Sequence, residues 1–120
     1  MADRVLFIGW GTPVRGREER ALEVFNESIG LYGRMQQDGR IESFDVMLFG
    51  ANTALSGCLL LHGDAAQIAA LQEDEEFQRT TIDASMIVED LNIIAGYANA
   101  GVGPQMALYA EGAAKVQQLA

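Results

Sequence analysis

The pattern that most constrains this chain is a set of short apolar segments that do not alternate with polar residues. Arg4–Trp10, RVLFIGW, is β-branched, aliphatic and aromatic, and it runs into glycine and proline. That composition predicts a strand. A period of two sends Val5 and Phe7 to one side and Leu6, Ile8 and Trp10 to the other. In residues 58–62, Cys58 and Leu60 oppose Leu59 and Leu61. In residues 85–97, Leu91 and Ile93 oppose Asn92 and Ile94. An antiparallel sheet with one wet face alternates apolar and polar residues. These strands are apolar on both faces, so both faces need cover.

The segments between them supply cover for one face. Residues 17–37 carry Leu22, Phe25, Ile29 and Tyr32 at steps of three, four and three, which predicts an amphipathic helix with those residues inward. Asp38-Gly39 is its stop. Residues 41–49 form a second strand, with Phe44, Val46 and Leu48 on one side. Residues 50–57, GANTALSG, are a turn-rich loop, so the second and third strands read as an antiparallel hairpin with a long connection. Asp64 caps a short helix, residues 65–72, with Ile68 and Leu71 inward. Asp74 caps one more turn that buries Phe77. Residues 85–97 are the fourth strand, bent near Glu89-Asp90. Pro104 suits the first position of a last helix, residues 103–120, that buries Met106, Tyr109, Ala113 and Val116.

The order is β-α-β-β-α-β plus a terminal helix. That is an α+β, ferredoxin-like arrangement: a four-stranded antiparallel sheet with its helices on one face, within one domain spanning 1–120. The helices leave the second face open. An uncovered apolar face that size is rare on a soluble monomer. A second copy of the same sheet is the simplest cover, since two-fold dimers are the commonest oligomers. The expected partner is therefore another copy of the chain, bound through the open sheet face.

The element order, the short second helix with its continuation LQEDEEF, and the long segment VEDLNIIAGY resemble the dimeric α/β-barrel superfamily over most of residues 4–97. That superfamily includes antibiotic-biosynthesis monooxygenase-like, YCII-like and stress-responsive barrel proteins. The resemblance implies that an apolar cleft between helices and sheet holds a substrate in some members, without a cofactor. It assigns no catalytic residue in this chain.

Composition excludes several classes. The net charge of −9 sets up a field that repels a phosphate backbone, so nucleic acid is not an expected partner, and neither is an acidic membrane. No apolar run approaches the ~18–20 residues that span a bilayer, and VLFIGW is too short for a signal peptide, so the expected location is cytoplasmic. The single cysteine forms no internal disulfide and rules out a multi-cysteine zinc site. No metal or cofactor is expected.

Six residues stand as site candidates. The stretch GTPVRGRE, residues 11–18, has the glycine spacing of a phosphate-binding loop. It places Arg17 and Glu18 where lysine and a hydroxyl residue belong, and it reads as a strand-to-helix turn. Arg15 and Arg17 near a helix start could hold a small anion, or pair with neighbouring glutamates. His62, the one histidine, is the candidate base or a surface residue at a strand end. Trp10, Asn52 and Tyr97 are candidates to line a ligand pocket, against ordinary packing roles. Cys58 reads as a buried, inert thiol.

Two functions fit. One is a homodimeric, non-catalytic binding or structural module. The other is a small cofactor-independent enzyme, an oxygenase or isomerase, acting on an aromatic or polyketide-like molecule. A continuous apolar cavity beside Trp10 would favour a ligand; a filled, dry core would not.

Overall fold

The computed structural model describes residues 2–119. Four strands form one antiparallel sheet in the order β2-β3-β1-β4, where β1 is Arg4–Trp10, β2 Ser43–Leu48, β3 Gly57–Gly63 and β4 Asn92–Tyr97. Helix α1, Glu18–Gln37, links β1 to β2 across β3. Helices α2, Ala65–Glu73, and α3, Glu75–Ser85, link β3 to β4 across β1. The 3₁₀ turn Asn99–Gly101 then leads into α4, Val102–Leu119. Among the described residues no helix is long and apolar enough to cross a membrane.

Register fixes which residues share a face. Leu6 stands opposite Leu61 and Ala95, and Ile8 opposite Leu59 and Ile93. Phe44 faces Leu61 on the outer strand. These residues form the helix-side face. Of these, Leu6, Ile8, Leu59 and Leu61 make the core with Leu31, Tyr32 and Met35 of α1, Ile68 and Leu71 of α2, Phe77 of α3 and Ile41, and Phe44 and Ile93 pack against it. Val5, Phe7, Cys58, Leu60, His62, Met47 and Ile94 share the other face. No helix packs over it among the described residues. Val5, Phe7, Leu60 and Met47 are half-buried by one another, while Ile94 is 56% exposed. Gly9 lies beneath the Phe7 ring there; a Cβ at Gly9 would stand 2.5 Å from it.

Three expectations are corrected. The buried stripe of α1 is Val24, Ser28, Leu31, Tyr32 and Met35, whereas Leu22 is 63% exposed. The two stripes adjoin on one helix and share Tyr32; Met35, which ends the buried one, joins Ile41 and Leu61 in the core. The turn after Asp74 is an eleven-residue helix, and the strand starts at Asn92 rather than Ser85. Asp74 joins the helices: it closes α2 and caps α3, its carboxylate accepting from the Phe77 N–H at 2.9 Å. Helix formation overrides the β-branched run Thr80-Thr81-Ile82 because that phase buries Phe77 and brings α3 against α1. The last helix exists, but Met106, Tyr109, Ala113 and Val116 are all exposed.

Candidate functional site: an apolar cleft beside Trp10

Between α1, α3 and the helix-side face of the sheet lies a cavity of about 340 Å³. Its floor is Ile8, Trp10, Leu59 and Ile93, and its walls include Phe25 and Tyr32 of α1 and Thr80, Thr81 and Ala84 of α3. The lining is overwhelmingly apolar, and the volume falls in the range of small-molecule sites, roughly 300–1,000 Å³. Trp10 meets Phe25 edge to face, with ring centroids 5.9 Å apart. Small residues help to leave it open: Ala21 of α1 and Ala84 of α3 add little bulk to the lining, and Leu22 and Phe25 of α1 border the gap.

The few polar groups in the lining differ in availability. Ser28 donates to the Val24 carbonyl at 2.8 Å, so its hydrogen is committed. Glu18 accepts from the Gly16 N–H at 2.8 Å. Tyr32 is 2% exposed, and its hydroxyl has no hydrogen-bond partner among the described residues. The sealed, unpartnered side-chain polar atom among those residues is Asp3 Oδ1. The Tyr32 hydroxyl is therefore not walled in, and the open volume that Tyr32 borders is the cleft. Burial raises the Tyr32 phenol well above the ordinary tyrosine range, so it stays a neutral donor.

Of the six candidates, Trp10 lines this cleft. Asn52 sits in the exposed loop between β2 and β3. Its amide donates to the Gly50 and Leu55 carbonyls at 2.7 and 2.6 Å, and its oxygen accepts from the N–H groups of Ala54 and Leu55. His62 lies on the opposite face of the sheet, with Nε2 2.8 Å from Asp45 Oδ2. Tyr97 lies at the other end of β1 from Trp10, under the Arg4 guanidinium at 4.5 Å. Arg15 is exposed at the turn, and Arg17 donates to the Met86 carbonyl. The structure thus does not bring Trp10, Asn52, His62 and Tyr97 together. Phe25, Tyr32 and Thr80 enter the site unheralded; the Leu22–Phe25 spacing was the signal that could have found one wall of it.

The stretch GTPVRGRE commits four of its backbone donors, those of Gly11, Val14, Gly16 and Arg17, to acceptors within the protein. The Gly11 and Val14 N–H groups donate to the Glu89 and Ile87 carbonyls at 2.8 Å each, and Pro13 bridges Val88. Gly16, at φ 90°, turns its N–H onto Glu18. A phosphate would find the cradle filled by a carboxylate. Among the described residues no group of three histidine, cysteine or acidic side chains is placed to hold a metal ion.

No family model matches the chain, and no curated protein does. Solved structures do share its fold. A dimeric protein of unknown function and ferredoxin-like fold from Bacteroides fragilis has a TM-score of 0.59 at 13% identity, covering 79% of this chain and 96% of its own. A dimeric ferredoxin-like protein of unknown function from Jannaschia sp. has 0.55 at 15%, covering 80% and 98%. SnoaB, a cofactor-independent oxygenase from Streptomyces nogalater, has 0.53 at 14%, covering 82% and 93%. The chain is α+β with the ferredoxin-like fold.

Proposed function

We propose that this chain is a homodimeric binding protein that holds a small, largely apolar ligand in the cleft beside Trp10. The observation that carries this is the cleft itself: a volume lined by Ile8, Trp10, Phe25 and Leu59 that the chain leaves open where a purely structural core would be filled. Tyr32 lines the cleft and its hydroxyl has no protein partner among the described residues, so it is the donor we assign to a hydrogen-bond acceptor on the ligand, such as a ketone or hydroxyl oxygen. The uncovered face of Val5, Phe7, Leu60 and Ile94 is the surface we assign to the second copy, and the dimeric neighbours of the same fold support a dimer. A cytoplasmic location goes with this reading.

Trp10 is the only tryptophan, so its emission reports the cleft directly. Titration with 2-acetylnaphthalene, an apolar ketone, should quench Trp10 saturably. Ala84→Phe, which fills the cleft from α3, should abolish the quenching and leave the circular dichroism unchanged. Quenching that survives Ala84→Phe, or none in the parent chain, would rule the reading out.

A second reading is a cofactor-independent oxygenase or isomerase acting on an aromatic or polyketide-like molecule. It is favoured by a cleft of suitable size in a chain that shares its fold with SnoaB. Glu18 and Tyr32 are the ionisable lining groups; one is anchored on a backbone N–H and the other is held neutral. Oxygen uptake with a polyphenolic substrate, lost in Ala84→Phe, would establish this reading over simple binding.

A further inference from the structure

Helix α4 is the least explained part of the molecule. Its packing contact of any size is with the 3₁₀ turn that precedes it. Tyr109 is 73% and Val116 69% exposed. The radius of gyration is 17.0 Å, where a compact chain of this length has about 14 Å. The excess belongs to α4, whose 18 residues extend about 27 Å. Yet α4 is not a polar tail. Val102, Met106, Tyr109, Ala113 and Val116 recur at steps of four, three, four and three, the narrow seam of a helix that packs on another surface. Glu111 and Lys115 lie on the back of that seam.

We propose that α4 is an arm that packs on the second copy of the chain, its seam turned onto the partner subunit. This rests on the homodimer reading above. Two observations commit the seam to that occupant. The first is chain continuity. The arm leaves β4, an edge strand of the sheet whose open face needs a partner, through Ala98 and a three-residue turn with no slack between. Gly101 fixes that departure, because its Cα lies against the Asp3 carbonyl and a Cβ there would come within 2.3 Å of the oxygen. The arm therefore starts at the margin of the surface a second copy would cover. The second is charge. Two copies at −9 each repel, so the surfaces that meet must carry little net charge. The arm's one glutamate and one lysine cancel, and the strands of the open face bear a single carboxylate, Asp45, hydrogen-bonded to His62. An anionic lipid surface fits poorly, since Lys115 is the arm's one cation and sits behind the seam.

The test uses the full chain. Sedimentation compares Tyr109→Asp with Val116→Asp, combined on the seam, against Ala107→Asp with Ala114→Asp, which carry the same charge on the back. The seam pair should weaken the dimer about tenfold or more, the back pair far less. Amide exchange of residues 102–118 should be slow in the dimer and fast after dilution to monomer. Equal dimer strength in the two variants, or fast exchange within the dimer, would remove the arm while leaving the dimer. Slow exchange at every dilution would place α4 on its own subunit and also overturn the arm. Binding to phosphatidylglycerol vesicles that the seam pair abolishes would overturn it in favour of lipid. A parent chain that stays monomeric at micromolar concentration would overturn the dimer reading itself.

Discussion

A buried hydroxyl without a protein partner is a cost to the fold unless something else meets it. Tyr32 is such a group, and the sequence pattern shows only that it belongs to an inward helical face; the free oxygen is a property of how α1 meets the sheet. Tyr32→Phe should leave stability to urea unchanged or slightly raised. It should weaken 2-acetylnaphthalene by about two- to tenfold, the worth of one hydrogen bond, and leave 2-ethylnaphthalene unaffected. Equal losses for both probes, read from Trp10 quenching, would deny the hydroxyl a role. Cys58 makes the opposite case, since its neighbours alone, Leu59, Leu60 and Leu61, give its character. It is buried, and burial raises its thiol above the usual cysteine value. The thiolate that reacts is therefore scarce near neutral pH. Labelling by a disulfide reagent at pH 8 should be slow in the folded protein and should rise sharply in urea. Asn52, a candidate to line the pocket, serves its own loop instead. Its full set of four loop hydrogen bonds appears only once residues 50–55 close on themselves.

At the level of elements, strand β1 was legible residue for residue because its β-branched, aromatic run ends in Gly-Thr-Pro, and no alternative phase competes. The boundary between α3 and β4 was not legible. TTIDASMIVEDL mixes the β-branched residues Thr80, Thr81, Ile82, Ile87 and Val88 with Asp83, Ala84 and Ser85, so its composition marks no boundary, and the helix wins on a long-range contact, α3 against α1, that no local pattern contains. Asp74 holds that junction. Its carboxyl is held below the usual carboxylate range first by the Phe77 N–H, then by Arg40, whose guanidinium donates at 2.6 Å. A depressed folded-state value means the stabilisation is present above the ordinary carboxylate range and disappears as pH falls through the folded value. Asp74→Ala should cost about 1 kcal/mol at neutral pH, as the loss of a helix cap does. Asp74→Asn keeps a capping oxygen and loses the ion pair, so most of the stability should remain at pH 7. The gap between Asp74→Asn and the parent should narrow as pH falls below the ordinary carboxylate range and vanish once pH is below the depressed folded value. A gap that stays constant down to the acid limit of the folded state would show that the carboxylate is not what stabilises the joint.

For the whole molecule, the governing balance is between an apolar sheet face and an acidic chain. Strand parity shows in the sequence that both faces of the sheet are apolar; that the open one carries Val5, Phe7, Leu60 and Ile94 follows from the cross-strand register and the side the helices take. What covers that face is not written in the strands, because an apolar surface is complementary to many others. The net charge of −9 narrows the choice by opposing association with a like copy over distances near the Debye length, about 10 Å at 0.1 M salt. Burying the face favours the dimer, and long-range repulsion limits it. Salt screens the second term and leaves the first nearly intact. Dimer affinity should therefore rise several-fold as ionic strength goes from low to physiological, contrary to an interface held by ion pairs. Ile94→Asp places a charge on the edge strand where Ile94 is already open to water in the single chain, so the subunit should still fold. It should sediment as a monomer across that salt range, with the Trp10 response to 2-acetylnaphthalene retained. A dimer that weakens with salt, or one indifferent to Ile94→Asp, would mean that the copies meet elsewhere and that this face serves another partner.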